Sequence, residues 1–318
     1  MKKYDVTALG ELLVDFTENE EKSVQGNPLF EANPGGAPCN VLAMLAKLGH
    51  KTAFIGKVGN DFFGGFLRKT ITEAGIDAFL HTDSKVHTTL AMVHTYPDGD
   101  RDFFFYRNPG ADIMLEEKEI QEKVIEDSGI FHFGTLSMTH ERVRRATKKA
   151  VQIAEKSGAL ISFDPNLRPS LWDDMEVARK QVQYGLEHCH ILKISDNEIQ
   201  WFTGKSDYTD GVRWILDRYQ IPLILVTMGK YGSRAYYQKM IVEQPPFIQK
   251  NTIETTGAGD TFLGCVLHYI CKYGLENLQK EDLQEMLMFA NAAASIITTR
   301  KGALKVMPDL AEIKKIIQ

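Results

Sequence analysis

Short apolar segments alternate with helical segments through most of this chain of 318 residues. The stretches GIFHFG, GALISFD, HILKIS and PLILVTMG are typical of buried strands, and helical patterns such as HERVRRATKKAVQIAEKSG separate several of them. Alternation at this spacing favours a mainly parallel sheet that is covered by helices. We therefore expect an α/β fold in which the ends of the strands carry the functional side chains.

Two segments interrupt this alternation and indicate a second, smaller sheet. Residues 14–34 are polar and rich in turn formers, and in residues 87–108 two strand-like runs flank the hairpin signal PDGD. A two-stranded ribbon is marginal alone, and the first segment could supply further strands. We expect both segments to form a small β-lid on a single α/β domain spanning residues 1–318. A plain surface hairpin is the alternative.

The segment ETTGAGDTF, residues 254–262, precedes a run whose apolar residues have the spacing of one helix face. The free N–H groups and the positive dipole end of such a helix attract anions. Asp260 lies within this segment, and a carboxylate about 4 Å from a phosphate charge would lose roughly 4 kcal/mol at an effective dielectric of 20. A loop that transfers phosphate to an alcohol nevertheless needs a base there. Asp260 is therefore a candidate base. The alternative is a first-turn acid that favours the helix dipole.

Several other classes of site are disfavoured by the sequence. It has neither a GxxxxGK[ST] motif nor a strand followed by GxGxxG, which argues against a Walker-type site and a dinucleotide site. The net charge of −5 argues against nucleic-acid and anionic-membrane partners. His188 and His190 have no evident third metal ligand. Four cysteines without a CxxC pair, and an N-terminus unlike a signal peptide, predict a cytoplasmic protein.

Five motifs together resemble the PfkB carbohydrate kinases, the ribokinase-like sugar and nucleoside kinases. TTGAGDTF resembles the C-terminal signature of that family, and NPGGAPCNVLAMLAKLGHKTAFIGKVGND resembles its N-terminal signature. FDPNLRPSLW, LKISDNE and LVTMGKYG match in order between them, so the resemblance covers essentially the whole chain. FFFYRNPGAD and DPNLRPSLW are most similar to bacterial fructokinases. The resemblance implies a ribokinase-like three-layer α/β/α Rossmann-like body with a β-sheet lid. It also implies transfer of the γ-phosphoryl group of ATP, with Mg²⁺, to the 6-hydroxyl of D-fructose.

The resemblance also implies which residues bind and react with the sugar. Asp260 would be the general base, and the N–H groups of Gly257, Ala258 and Gly259 would form the anion hole. The residues expected to contact the sugar are Asp15, Gly35, Gly36, Asn40, Arg107 and Asn166. Arg168 would neutralise phosphoryl charge or hold the sugar. The alternatives are a helix cap for Asn40, an exposed edge-strand residue for Arg107 and a structural salt bridge for Arg168.

The nucleotide side of the expected site is implied in the same way. Its residues would be Lys193, Ser195, Glu198, Thr227, Gly229, Gly232 and Asn291. Glu198 would order Mg²⁺ through water, whereas Ser195 stands where the family usually has asparagine. A helix–helix hydrogen bond is the alternative role for Asn291. Glu254, which replaces the usual aspartate, and Thr256 form a candidate K⁺ site.

The resemblance further implies a homodimer joined through the lid. The sequence leaves other acceptors open, namely 2-keto-3-deoxygluconate, ribose or a nucleoside. Two different classes of function also stay open: a catalytically silent sugar-binding regulator and an NAD-dependent oxidoreductase.

Overall fold

A computed structural model describes residues 2–95 and 101–318. The strands are β1 (Tyr4–Leu9), β2 (Leu13–Lys22), β3 (Pro28–Gly35), β4 (Thr52–Gly59), β5 (Ile76–Asp83), β6 (Leu90–Thr95), β7 (Arg101–Tyr106), β8 (Ser128–Gly134), β9 (Leu160–Asp164), β10 (Ile191–Ser195), β11 (Leu223–Thr227), β12 (Ser233–Tyr237) and β13 (Met240–Gln244). The helices are α1 (Ala37–Lys47), α2 (Phe62–Glu73), α3 (Glu122–Glu126), α4 (Glu141–Lys156), α5 (Met175–His188), α6 (Asp196–Thr203), α7 (Tyr208–Leu216), α8 (Ala258–Tyr273), α9 (Lys280–Ile297) and α10 (Leu310–Ile317).

The central sheet has nine strands in the order β13-β12-β11-β10-β9-β8-β1-β4-β5. Every neighbouring pair from β11 to β5 is parallel, and the two antiparallel pairs lie at the β13 edge. The prediction of a mainly parallel α/β sheet is therefore confirmed. Because the strands are parallel, their carboxyl ends meet along one edge of the sheet, where ligands of such folds usually bind.

Helices cover both faces of this sheet, and alternate side chains of each strand enter opposite cores. In β11, Leu223 and Leu225 belong to the core under α1, α8 and α9. Ile224 and Val226 belong to the core under α4, α5 and α7. This two-sided burial explains why the central strands read as nearly continuous apolar runs in the sequence.

The second sheet has four strands in the order β3-β2-β6-β7. β2 and β6 are parallel to each other, and each pairs with its outer neighbour in antiparallel register. The sheet thus combines strands from both polar segments, and the predicted small β-sheet beside the α/β body is confirmed. The turn predicted at residues 97–100 lies outside the described residues.

The sequence disfavours a membrane span and a metal site at His188 and His190, and the described part of the chain bears on both. There, no helix combines the length and apolarity needed to cross a bilayer. His188 pairs with Glu155 at 2.5 Å, and the ring of His190 accepts from the N–H of Ile161 at 3.0 Å. Across residues 2–95 and 101–318, no cluster of three metal-binding side chains occurs.

Candidate active site

A cleft of about 380 Å³ opens where the carboxyl ends of the central strands face the four-stranded sheet. Glu11 follows β1, Leu136 follows β8, Asn166 follows β9, and Lys193 lies near the end of β10. The four-stranded sheet contributes Phe105 from β7, and the start of α8 contributes Gly259 and Asp260. The predicted site residues on this cleft are Asp15, Gly36, Asn40, Asn166, Arg168, Lys193, Thr256, Gly257, Gly259 and Asp260.

The glycine loop begins α8 in a conformation that only glycine adopts readily. Gly257 is the N-cap residue with φ 77°, and a Cβ there would lie 2.5 Å from the Cβ of Ala303. Gly257 and Gly259 line the cleft, whereas the N–H of Ala258 donates to the carbonyl of Thr255 at 3.2 Å. The loop therefore brings its backbone up to the cleft and presents the positive end of a helix there.

Asp260 lies in the first turn of α8 and reaches the cleft. Burial raises the pKa of its carboxyl to about 6. A hydrogen bond from Asn40 and the charges of Lys193 and Arg168 oppose this rise in pKa, whereas the carboxylate of Asp164 adds to it. A pKa near neutrality suits a general base, because the group is ionised at working pH and still has appreciable proton affinity.

Lys193 forms a buried ion pair with Asp164, with 3.0 Å between Nζ and Oδ2. Burial alone would lower the pKa of Lys193, but the carboxylates of Asp164, Glu198 and Asp260 raise it above its ordinary value. Nζ lies 3.0 Å from the position that a Cβ on Gly259 would occupy. A fixed positive charge therefore stands beside the glycine loop, where phosphoryl charge would develop.

At the sugar end of the expected site, two glycines lie very close to neighbouring groups of the chain. A Cβ on Gly35 would lie 2.1 Å from Oδ2 of Asp15, and a Cβ on Gly36 would lie 2.4 Å from the carbonyl of Glu11. Gly36 also has φ 127°, so a larger residue would be strained there. The two glycines thus let the loop pass directly beside the acids after β1.

Glu11 and Asp164 belong to the site but were not among the predicted residues. Glu11 is 3% exposed, lines the cleft and accepts the N–H of Ala37 at 2.8 Å. Burial raises the pKa of its carboxyl to about 7. Glu11 stands two residues after the end of β1, in GELL, and Asp164 is the last residue of β9, in SFDP. Their position at the carboxyl ends of parallel strands is the sequence feature that could have identified them as site residues.

The two predicted arginines take different positions. Arg168 lines the cleft, and its Nη1 donates to the carbonyl of Leu167 at 3.2 Å. Arg107 is 7% exposed and is held outside the cleft lining by Asp112, with 2.9 Å between Nε and Oδ2. The geometry thus brings Arg168, but not Arg107, to the cleft with Asp260.

Ser195 and Glu198 form the N-terminal capping box of α6. Oε2 of Glu198 accepts the N–H of Ser195 at 2.8 Å, and Oε1 accepts the N–H of Leu167 at 2.7 Å. Glu198 therefore ties the loop that carries Asn166 and Arg168 to the end of β10.

A second cavity of about 370 Å³ adjoins the first, and Thr255 and Gly259 line both. It contains the predicted nucleotide residues Thr227, Gly229, Gly232 and Asn291, and the predicted anion-hole residue Ala258. The apolar part of its lining is Pro246, Phe247, Ile248, Phe262 and Ala294.

The side chain of Asn291 is fully engaged with the protein. Its Oδ1 accepts from Ser233 Oγ at 2.9 Å, and its Nδ2 donates to the carbonyls of Gln244 and Pro245, both at 3.1 Å. Asn291 therefore braces the cavity wall, in addition to lining it.

The candidate K⁺ residues Glu254 and Thr256 lie beside a small third cavity. Oε1 of Glu254 accepts the N–H of Gly302 at 2.9 Å, and the N–H of Glu254 donates to the carbonyl of Thr298 at 3.1 Å. Glu254, Gly35 and Thr256 line this cavity.

Comparison with known proteins gives one family and a consistent set of relatives. The pfkB family carbohydrate kinase model matches residues 3–310. Fructokinase-1 of Zea mays is 38% identical over 315 residues, which is 98% of this chain and 97% of that protein. Probable fructokinase-2 of Arabidopsis thaliana is 39% identical over 308 residues, which is 95% of this chain and 92% of that protein.

Solved structures agree with this relationship. The crystal structure of fructokinase with bound ATP from Xylella fastidiosa superposes with a TM-score of 0.89 at 30% identity, covering 100% of this chain and 99% of that one. A fructokinase double mutant from Vibrio cholerae O395, in its fructose-, ADP- and potassium-bound form, has a TM-score of 0.88 at 28% identity with full coverage of both chains.

Proposed function

The chain belongs to the pfkB family of carbohydrate kinases, and we propose that it is a fructokinase, which transfers the γ-phosphoryl group of ATP to the 6-hydroxyl of D-fructose. The observation that carries this proposal is the junction of the two cavities at Gly259. The base candidate Asp260 lies next to this junction on the cleft side. A nucleotide in the second cavity would therefore direct its terminal phosphate towards an acceptor in the first.

Each charged group at this junction has a distinct role in the proposed transfer. Asp260 accepts the proton of the attacking hydroxyl, which then bonds to the γ-phosphorus as the bond to the leaving ADP oxygen breaks. The backbone of Gly257 to Gly259 and the ammonium group of Lys193 stabilise the charge on the transferring group. Arg168, which also lines the cleft, adds positive charge.

Glu198 suits an indirect contact with the divalent metal of the nucleotide. Mg²⁺ bound to ATP supplies charge neutralisation at the β- and γ-phosphates. Both carboxylate oxygens of Glu198 already accept backbone N–H groups, and Mg²⁺ usually keeps several of its waters. We therefore assign Glu198 a contact through water.

The charges around the acceptor favour a neutral sugar over a keto-acid. Asp15 lines the cleft, and a carboxylate on the acceptor would be repelled by it. Arg107, which could have bound that carboxylate, is occupied by Asp112. 2-Keto-3-deoxygluconate therefore remains the second candidate, with Arg168 as its cationic partner.

Three further properties form part of the proposal. K⁺ would bind near Glu254 and Thr256, and equal rates in K⁺ and Na⁺ buffers would contradict this.

A homodimer would form through the lid, whose outer strands β3 and β7 have free edges within the described chain. A monomeric mass by light scattering at micromolar concentration would contradict it. A reaction that consumes ATP also fits the cytoplasm, which we propose as the location.

The proposed function is tested by one coupled assay of ADP release with ATP and Mg²⁺. The acceptors are D-fructose, 2-keto-3-deoxygluconate, ribose, glucose and adenosine, together with a reaction that lacks acceptor. Turnover that depends on fructose is the expected result. Turnover with another acceptor would retain the sugar-kinase chemistry and refute fructose. Sugar binding without any turnover would favour a silent regulator.

A further inference from the structure

A buried carboxylate of the body holds both ends of the β6–β7 hairpin of the lid. Asp112 lies in a 3₁₀ turn of the body, Ala111–Met114, and is 3% exposed. Its Oδ1 accepts from Oγ1 of Thr89, directly before β6. Its Oδ2 accepts from Nε of Arg107, directly after β7. One acid therefore holds both the entry to and the exit from the hairpin.

The guanidinium group of Arg107 extends this link to the wall of the cleft. Its Nη2 donates to Oδ2 of Asp112 at 2.5 Å and to the carbonyl of Leu136 at 2.8 Å. Its Nη1 donates to Oγ1 of Thr139 at 3.0 Å. The planar fork thus contacts three groups of the body at once, a geometry that the single ammonium group of lysine cannot reproduce.

Phe105 connects this anchor with the sugar end of the cleft. It lies in β7, two residues before Arg107, which directly follows the strand. Phe105 lines the cleft, and so does Leu136, whose carbonyl Arg107 holds. Arg107 therefore links the end of β7, close in the chain to Phe105, to the Leu136 segment that also lines the cleft.

We propose that Arg107 is a positioning residue, which acts through Asp112 to hold Phe105 over the acceptor and so exclude water from the transferring phosphoryl group. Water is the competing acceptor in any phosphoryl transfer, and lid closure suppresses it. This inference rests on the proposed sugar-kinase function. It gives Arg107 a role different from the direct sugar contact that the family resemblance implies.

The test measures ADP and fructose phosphate in the same reactions for Arg107→Lys and Asp112→Asn. We expect both variants to raise the KM for fructose at least about tenfold and to produce more ADP than fructose phosphate, because a loosened lid binds sugar poorly and admits water. The KM for ATP should stay within about twofold of its original value, since the second cavity is unchanged. The matched control is Arg142→Lys, at an exposed arginine of α4 that pairs with Glu116. It should leave both KM values and the ratio of ADP to fructose phosphate unchanged.

Four results would overturn the inference. In the first, Arg107→Lys leaves the KM for fructose and the ratio of ADP to fructose phosphate unchanged, even if its melting temperature falls. The Arg107–Asp112 pair would then be purely structural. Another is an impaired Arg107→Lys beside a normal Asp112→Asn, because that identifies a direct sugar contact. If circular dichroism shows both variants unfolded, Phe105→Leu decides. Equal amounts of ADP and fructose phosphate in that variant would overturn the inference, and an excess of ADP would support it. An unmodified enzyme that is inactive with every acceptor would overturn the proposed function and this inference with it.

Discussion

Nδ2 of Asn40 donates a hydrogen bond to Oδ2 of Asp260 at 2.8 Å, although 220 residues separate the two in the chain. The helices that carry them pack closely, since a Cβ on Gly264 of α8 would lie 2.7 Å from the Cβ of Met44 on α1. Among the described residues, Oδ1 of Asn40 has no hydrogen-bond partner, although it is buried and its residue lines the cleft. Asn40 can therefore orient the base with one end and accept a substrate hydroxyl with the other.

The base assignment predicts a large loss of rate when Asp260 becomes asparagine. We expect Asp260→Asn to lower kcat at least ~100-fold, the scale of general acid–base catalysis, while sugar binding largely survives. Steady-state kinetics and calorimetric titration with fructose measure the two quantities. A nearly normal kcat would mean that Asp260 serves only the helix dipole.

Asp210→Asn is the matched control for that experiment. Asp210 is likewise an acid in the first turn of a helix, α7, but it is exposed and lies outside the two cavities. Its loss should cost only a few tenths of a kcal/mol in stability and leave kcat unchanged.

The hydrogen bond from Asn40 predicts a shift in the pH dependence of the reaction. It stabilises the ionised form of Asp260, so its removal should raise the pKa of that carboxyl above about 6. In Asn40→Ala the acidic limb of kcat/KM should therefore move to higher pH, and the rate at pH 6 should fall more than the rate at pH 8. A pH–rate profile of both proteins measures this. An unmoved limb would show that the bond does not control the base.

The wall of the second cavity predicts weak discrimination between purine bases. Both N–H donors of Asn291 are used on backbone carbonyls. Nε2 of Gln249 donates to Oγ of Ser295, and Oγ1 of Thr298 donates to the carbonyl of Ser295. Sites that read a substrate by hydrogen bonds discriminate by ~10⁴-fold or more, whereas apolar pockets discriminate far less. We expect GTP to retain kcat/KM within about 100-fold of ATP. A larger preference would mean that backbone groups or water read the base.

Local patterns predicted the fold because they reflect local physics. The alternation of strands and helices follows from side-chain periodicity, and TTGAG predicted a helix start because glycines there expose backbone N–H groups. The fold class and the small sheet are confirmed on that basis.

Partners distant in sequence could not be predicted in the same way. Periodicity shows that Arg107 lies near a strand end, but not that Asp112 occupies its guanidinium group. Glu11 likewise reads as an ordinary acid after a strand. Only the approach of α1, which places the N–H of Ala37 at its carboxylate, shows that it is buried. Such contacts depend on packing between elements, which no single segment encodes.

The buried carboxyl of Glu11 predicts a pH-dependent stability that its amide analogue lacks. Burial raises its pKa from 4.5 to about 7, so the folded state binds the proton more tightly than the unfolded state does. The stability that this group contributes is fully present below the unfolded pKa and is lost as the pH rises through about 7. The loss can reach at most about 3 kcal/mol, at 1.36 kcal/mol for each unit of pKa.

Glu11→Gln keeps the shape of the side chain and an oxygen that can accept the N–H of Ala37, but removes the titration. We compare the free energy of unfolding of the variant with that of the original protein at each pH. The change on substitution should be more stabilising at pH 8 than at pH 5, by about 1–3 kcal/mol. Urea denaturation at the two pH values measures it. Glu281→Gln, at an exposed first-turn acid of α9, should show no such difference. An equal effect of Glu11→Gln at both pH values would mean that the carboxyl of Glu11 is not protonated preferentially in the folded protein.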